Sequence, residues 1–116
     1  MLRTALLAAM LLCVFCKDVA AETIGFATWY GNESGTRTTS GERFDERAAT
    51  CALPTYRRGQ PSRTVRVTVL STGRSATCRV NDRGPAAWTG NIIDVSKGVA
   101  QQLGIVVAGR VKVRVE

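Results

Sequence analysis

The chain has 116 residues, with 16 Lys or Arg against 9 Asp or Glu, four cysteines and no histidine. That length allows one domain with a modest core. The basic balance favours anionic partners, but nothing resembles a nucleic-acid-binding module, so nucleic acid is not expected as a partner.

The first stretch is not expected to belong to the folded domain. Met1-Leu2-Arg3 is a short basic start, Ala5 to Phe15 is an apolar run too short to span a bilayer, and Val19-Ala20-Ala21 offers the small residues of a cleavage site. This pattern predicts a signal peptide over 1–21, cleavage after Ala21, and a mature domain over 22–116 with no stable membrane span. Cys13 follows Leu12 and Cys16 follows Phe15, so neither sits in a lipoprotein signal, and the expected location is periplasmic or secreted. The exported chain keeps only Cys51 and Cys78. Two cysteines in a small exported domain predict a disulfide. It would close a loop of about 28 residues and contribute roughly 3.5 kcal/mol in the chain-entropy model. Two thiolates without histidine do not make a zinc site, so no metal is expected, and no cofactor either.

Ile24 to Tyr30 reads as the first strand, and Glu33 to Gly41 as a Gly/Ser/Thr-rich loop long enough to be a binding element. Charged residues surround Phe44, which is expected to pin a tight turn to the core. Ala48 to Ala52 suits a short, crowded strand. Leu53 to Arg63 carries Pro54, Gly59, Pro61 and the pair Arg57-Arg58, and reads as a surface loop; Arg57, Arg58 and Arg63 are candidates for holding an anionic polymer.

Thr64 to Leu70 alternates β-branched and polar residues, the period of a half-buried strand, with Ser75 to Val80 returning after the turn at Ser71-Thr72-Gly73. The alternation stops at Asn81, and Gly84-Pro85 cannot extend a ladder. Asp82 is therefore expected where a strand hands over to a loop, a place that presents working side chains; a turn cap is the plainer role. Asn91 to Ser96 is another apolar run carrying Asp94. Ser96 caps a helix over Lys97 to Leu103 that stops at Gly104, and Arg110 to Glu116 alternates with Val111, Val113 and Val115 facing in. Short strands, one short helix and 11 glycines describe a small all-β barrel more readily than a sandwich.

Several pieces carry a resemblance when taken in order. They are Ala27-Thr28-Trp29-Tyr30-Gly31, Thr38-Thr39-Ser40-Gly41-Glu42-Arg43-Phe44-Asp45, Val65-Arg66-Val67-Thr68, Gly73-Arg74-Ser75, Arg79-Val80-Asn81-Asp82-Arg83-Gly84-Pro85, Ile92-Ile93-Asp94-Val95-Ser96 and Leu103-Gly104. The chain resembles the RlpA-like (rare lipoprotein A) double-psi β-barrel family from Gly25 to Glu116. The resemblance implies a six-stranded double-psi barrel of the expansin type. It also implies a lytic transglycosylase that cuts peptide-free peptidoglycan strands and leaves 1,6-anhydro-N-acetylmuramic acid ends. Peptidoglycan glycan is then the partner; divisome or other cell-wall protein partners stay open.

Carried onto this sequence, the family's acids fall on Asp82, as acid and base, and Glu42, as its helper. The family's histidine position is Leu53, in Thr50-Cys51-Ala52-Leu53. The alternative reading is therefore an expansin-like module that binds or loosens wall without cleaving it. Asp94 is held as a reserve acid and, with Thr38 and Arg83, as a substrate contact; a cap or turn bond near the helix start is its plainer role. Tyr30 and Trp88 are expected to stack on sugar faces, while Trp29 suits the core as well. A lytic transglycosylase uses the sugar's own C6 hydroxyl as nucleophile, so one carboxyl can serve first as acid and then as base.

Overall fold

The computed structural model describes residues 21–116, so the expected signal peptide falls almost wholly outside the described residues. Six strands follow in chain order: β1 (Thr23–Tyr30), β2 (Thr50–Leu53), β3 (Arg63–Val69), β4 (Ser75–Arg83), β5 (Asn91–Ser96) and β6 (Arg110–Val115). Among the described residues one α-helix, α1 (Lys97–Leu103), lies between β5 and β6. The strands close into a barrel in the order β1-β5-β2-β4-β3-β6. The β1–β5 and β2–β4 pairs are parallel, and the other four neighbours are antiparallel.

Alternation decides what fills the barrel. Val65, Val67 and Val69 of β3 face inward, as do Ala76, Cys78 and Val80 of β4 and Val113 and Val115 of β6. Val99, Ala100 and Leu103 bring α1 onto the same core. Ser96 caps α1 as expected: its Oγ accepts from Val99 N at 3.3 Å and donates to the Ala48 carbonyl at 2.6 Å. Gly104 ends the helix in the left-handed region. Gly98 has a role that the sequence did not reveal. A Cβ there would stand 2.6 Å from the Arg47 carbonyl oxygen, so only glycine lets α1 settle against the loop before β2.

The expected disulfide is present. Cys51 of β2 and Cys78 of β4 are both buried and bridged, with Cα atoms 5.8 Å apart. The stretch from Leu53 to Arg63 departs from a plain surface loop: Leu53 ends β2 and, with Tyr56, is buried in the core cluster, so the start of the loop is anchored.

The largest departure concerns β4, which runs on to Arg83 instead of ending at Val80. Its pairing with β2 skips a residue: Cys51 faces Val80, but Ala52 faces Asp82, leaving Asn81 as a bulge. Strict alternation after Val80 would turn Asp82 inward, towards the core. The extra residue reverses the phase and turns Asp82 outward instead. A matching slip at Phe26/Ala27 leaves Ile92 unpaired on β5, ahead of Asp94.

Candidate active site

The register places Thr28, Asp94, Ala52 and Asp82 side by side across β1, β5, β2 and β4. Neighbouring strands are spaced by roughly 4.8 Å, so the two acids stand roughly 10 Å apart at the backbone, with Ala52 between them. A methyl group at that position leaves room for a cleft. The cleft has a volume of about 170 Å³ and is lined by Tyr30, Arg37, Phe44, Ala52, Asp82, Arg83 and Asp94, together with Ser34, Gly35 and Gly84.

The two acids are held differently. Asp82 accepts three hydrogen bonds on one oxygen, Oδ1: from Thr39 N at 2.8 Å, Thr39 Oγ1 at 2.7 Å and Arg83 N at 2.9 Å. The Tyr30 hydroxyl stands near the same carboxylate. Asp94 Oδ1 accepts one bond from Thr28 Oγ1 at 3.2 Å. Burial pushes the Asp94 carboxyl from its ordinary 3.8 up to about 6; the Thr28 bond offsets part of that rise, and the negative charge of Asp82 adds to it.

Tyr30 stands in the field of both acids. Burial first, then the charges of Asp82 and Asp94, push its phenol well above the ordinary range, so it remains a proton donor. Its hydroxyl is buried beside the Asp82 carboxylate, close enough for a weak hydrogen bond to Asp82 to add to that rise, though without the geometry of a full one. Phe44 stacks on the ring, with centroids 4.7 Å apart and planes 17° from parallel. That face is closed to a sugar, and the ring edge lines the cleft.

Glu42 is not in the cleft. Arg79 Nη1 and Nη2 each donate to one of its carboxylate oxygens at 2.7 Å, and both side chains are partly exposed. Hydrogen bonding to Arg79 is the largest cause of a carboxyl lowered from 4.5 to about 2. Thr38 is buried and engaged inside its own loop, with Oγ1 2.7 Å from Ser40 Oγ; it does not line the cleft. Its neighbour Thr39, which the sequence did not single out, grips Asp82 instead.

Leu53 packs in the core cluster on the side of β2 opposite to Ala52. A histidine in its place would face away from the two acids. Trp88 is 89% exposed on a 3-10 turn, Ala87–Thr89. That turn borders a second hollow of about 420 Å³, which shares Arg83 and Gly84 with the first as lining residues. Trp29 packs against the core and donates from Nε1 to the Val106 carbonyl at 3.2 Å. Of the basic loop, Arg58 approaches Gly41, while Arg57 and Arg63 are exposed and do not line the cleft.

A family model described as lytic transglycolase matches residues 22–115. The chain belongs to the RlpA-like double-psi β-barrel family. It is 46% identical over 99 residues to the endolytic peptidoglycan transglycosylase RlpA of Neisseria meningitidis serogroup B, covering 79% of this chain and 37% of that protein. The Campylobacter jejuni protein of the same name is 42% identical over 94 residues, 79% of this chain and 32% of the other. The Pseudomonas aeruginosa one is 39% identical over 103 residues, 84% and 28%. The RlpA-like barrel thus spans little more than a third of these relatives at most. Among solved structures, Streptomyces papain inhibitor superposes with a TM-score of 0.67 over 85% of this chain and 96% of its own, at 18% identity, which shows the fold alone.

Proposed function

We propose that this barrel cleaves peptide-free peptidoglycan glycan strands as a lytic transglycosylase, with Asp94 as the proton-transfer group and Asp82 as its supporting carboxylate. The observation that carries the reading is the half-buried Asp94 carboxyl, raised to about 6, facing Asp82 across a cleft whose floor is Ala52. A carboxyl in that range holds its proton often enough near neutrality to act as an acid, and as its conjugate base is strong enough to take a proton back.

In this scheme Asp94 protonates the leaving glycosidic oxygen, and positive charge develops at the muramic acid C1. Asp82 offers its carboxylate to that charge. Asp94 then takes the proton of the C6 hydroxyl as O6 bonds to C1, closing the 1,6-anhydro ring and restoring the acid. No water is consumed, so the two carboxyls need not meet the spacing rule of hydrolysing glycosidases. Tyr30, with its buried hydroxyl beside Asp82, steadies that carboxylate. This assignment exchanges the roles expected from sequence, where Asp82 was the acid and Asp94 the reserve. The same reading puts the protein in the periplasm or outside the cell, where its disulfide persists.

The test is mass spectrometry of peptide-free glycan strands incubated with the protein: 1,6-anhydro ends should accumulate. Strands bound without anhydro product would instead make this an expansin-like binding module.

A further inference from the structure

Glu42 has no chemical step in that scheme, although the family resemblance makes it one of two important acids. The structure shows what Glu42 does touch. Its two oxygens are both taken by Arg79, which stands on β4 three residues before Asp82. The segment between Thr38 and Glu42 is a closed turn: Thr38 N donates to the Glu42 carbonyl at 3.0 Å, and Gly41 N to the Thr38 carbonyl at 2.9 Å. Ser40 N donates to the carbonyl of the bulge residue Asn81 at 3.1 Å, laying the turn across the bulge. At its far side, Thr39 delivers both donors to Asp82 Oδ1, and Thr39 Oγ1 also accepts from Arg83 N at 3.2 Å.

We propose that Glu42 and Arg79 are a positioning pair that clamps the Thr38–Glu42 turn onto β4, so that Thr39 fixes the orientation of Asp82. The inference rests on the cleft being the working site. The fork geometry suits a clamp, because two parallel N–H to O contacts fix direction as well as distance, which a single ion contact does not. Glu42 also stays ionised far below neutral pH, which removes it as a proton donor. A bulge is a weak point in a ladder, because its extra residue is unpaired. Asp82 is aimed by that bulge, so its carboxylate needs an external brace, and the turn supplies one.

A charge exchange separates positioning from proton transfer. Glu42→Arg and Arg79→Glu each place like charges together, whereas the double variant restores an opposite pair with the polarity reversed. Each single variant is expected to speed amide hydrogen exchange at Thr39 by roughly 10-fold or more, with the buried Val113 amide unchanged as the control for local release. Anhydro product should fall by at least a similar factor. The double variant should return both readouts to within about 3-fold of the unaltered protein. Glu42→Gln should lose only a few-fold, since shape and one fork contact survive.

Two results overturn the proposal. One is unchanged Thr39 exchange in both single variants. The other is a double variant that regains Thr39 protection but no product, together with a roughly 100-fold loss in Glu42→Gln, which is the signature of a proton carrier. If the unaltered protein makes no anhydro product, the transglycosylase reading fails, and Thr39 exchange alone decides the clamp.

Discussion

Two acidic regions of this barrel use the same side-chain chemistry to opposite ends. At the turn, Glu42 is open to solvent, forked to Arg79 and lowered to about 2. In the cleft, Asp94 is half-buried, has one weak hydroxyl donor and is raised to about 6. A paired carboxylate in water is a fixed anion, useful for holding a chain segment. One that has lost solvent without gaining a cation exchanges its proton near neutrality. The contrast shows that an acid's neighbours, more than its presence in a motif, determine whether it can do proton chemistry.

The contrast breaks most visibly on activity. Asp94→Asn should lower anhydro product by roughly 10³, within the usual range for a positioned proton-transfer group, while strand binding persists. Leu53→His should give no gain, because that side chain faces the core. A gain there would mean that the cleft has been placed on the wrong side of β2.

Next in size is the bridge beneath the cleft. Cys51 adjoins Ala52, so the disulfide ties β2 to β4 one residue from the row that carries both acids. Removing it by a Cys51→Ala/Cys78→Ala pair should cost roughly 3.5 kcal/mol of stability, read from urea unfolding midpoints.

The two acids should then respond to pH with opposite signs. The folded-state value of Asp94 is raised, so the folded protein binds more protons than the unfolded chain between about pH 4 and 6, and stability falls as pH rises through that window. Asp94→Asn should therefore stabilise the barrel at pH 7 by on the order of 2 kcal/mol, and not at pH 3.5. Glu42 is lowered, so its contribution is present above pH 4.5 and is lost as pH falls towards 2. Because that pair is exposed, Glu42→Gln should cost about 0.5 kcal/mol or less at pH 7, and nothing at pH 2. Thermal unfolding across pH 2–8 measures both. Parallel curves for the two variants would dissolve the comparison.

Much of the fold was legible in the sequence. Period-2 runs at Thr64–Leu70 and Arg110–Glu116 fixed which valines face in, because alternation is a property of the strand itself. Ser96 and Gly104 bounded α1 because caps act within a turn of the helix. The disulfide followed from counting cysteines. The site was legible only as a set of residues. Asp82, Asp94, Arg83 and Tyr30 do meet in one cleft, but Glu42, Thr38 and Leu53 face elsewhere. Nothing local told these groups apart, since burial and partners come from strands far away in the chain.

The sequence by itself determined a small barrel of short alternating strands, one capped helix and a single cysteine pair in the folded domain. Only the tertiary structure decided the phase of β4, where a single bulge at Asn81 turns Asp82 out to meet Asp94 across Ala52. A bulge is set by the register between two strands, and register is a relation that neither strand carries alone.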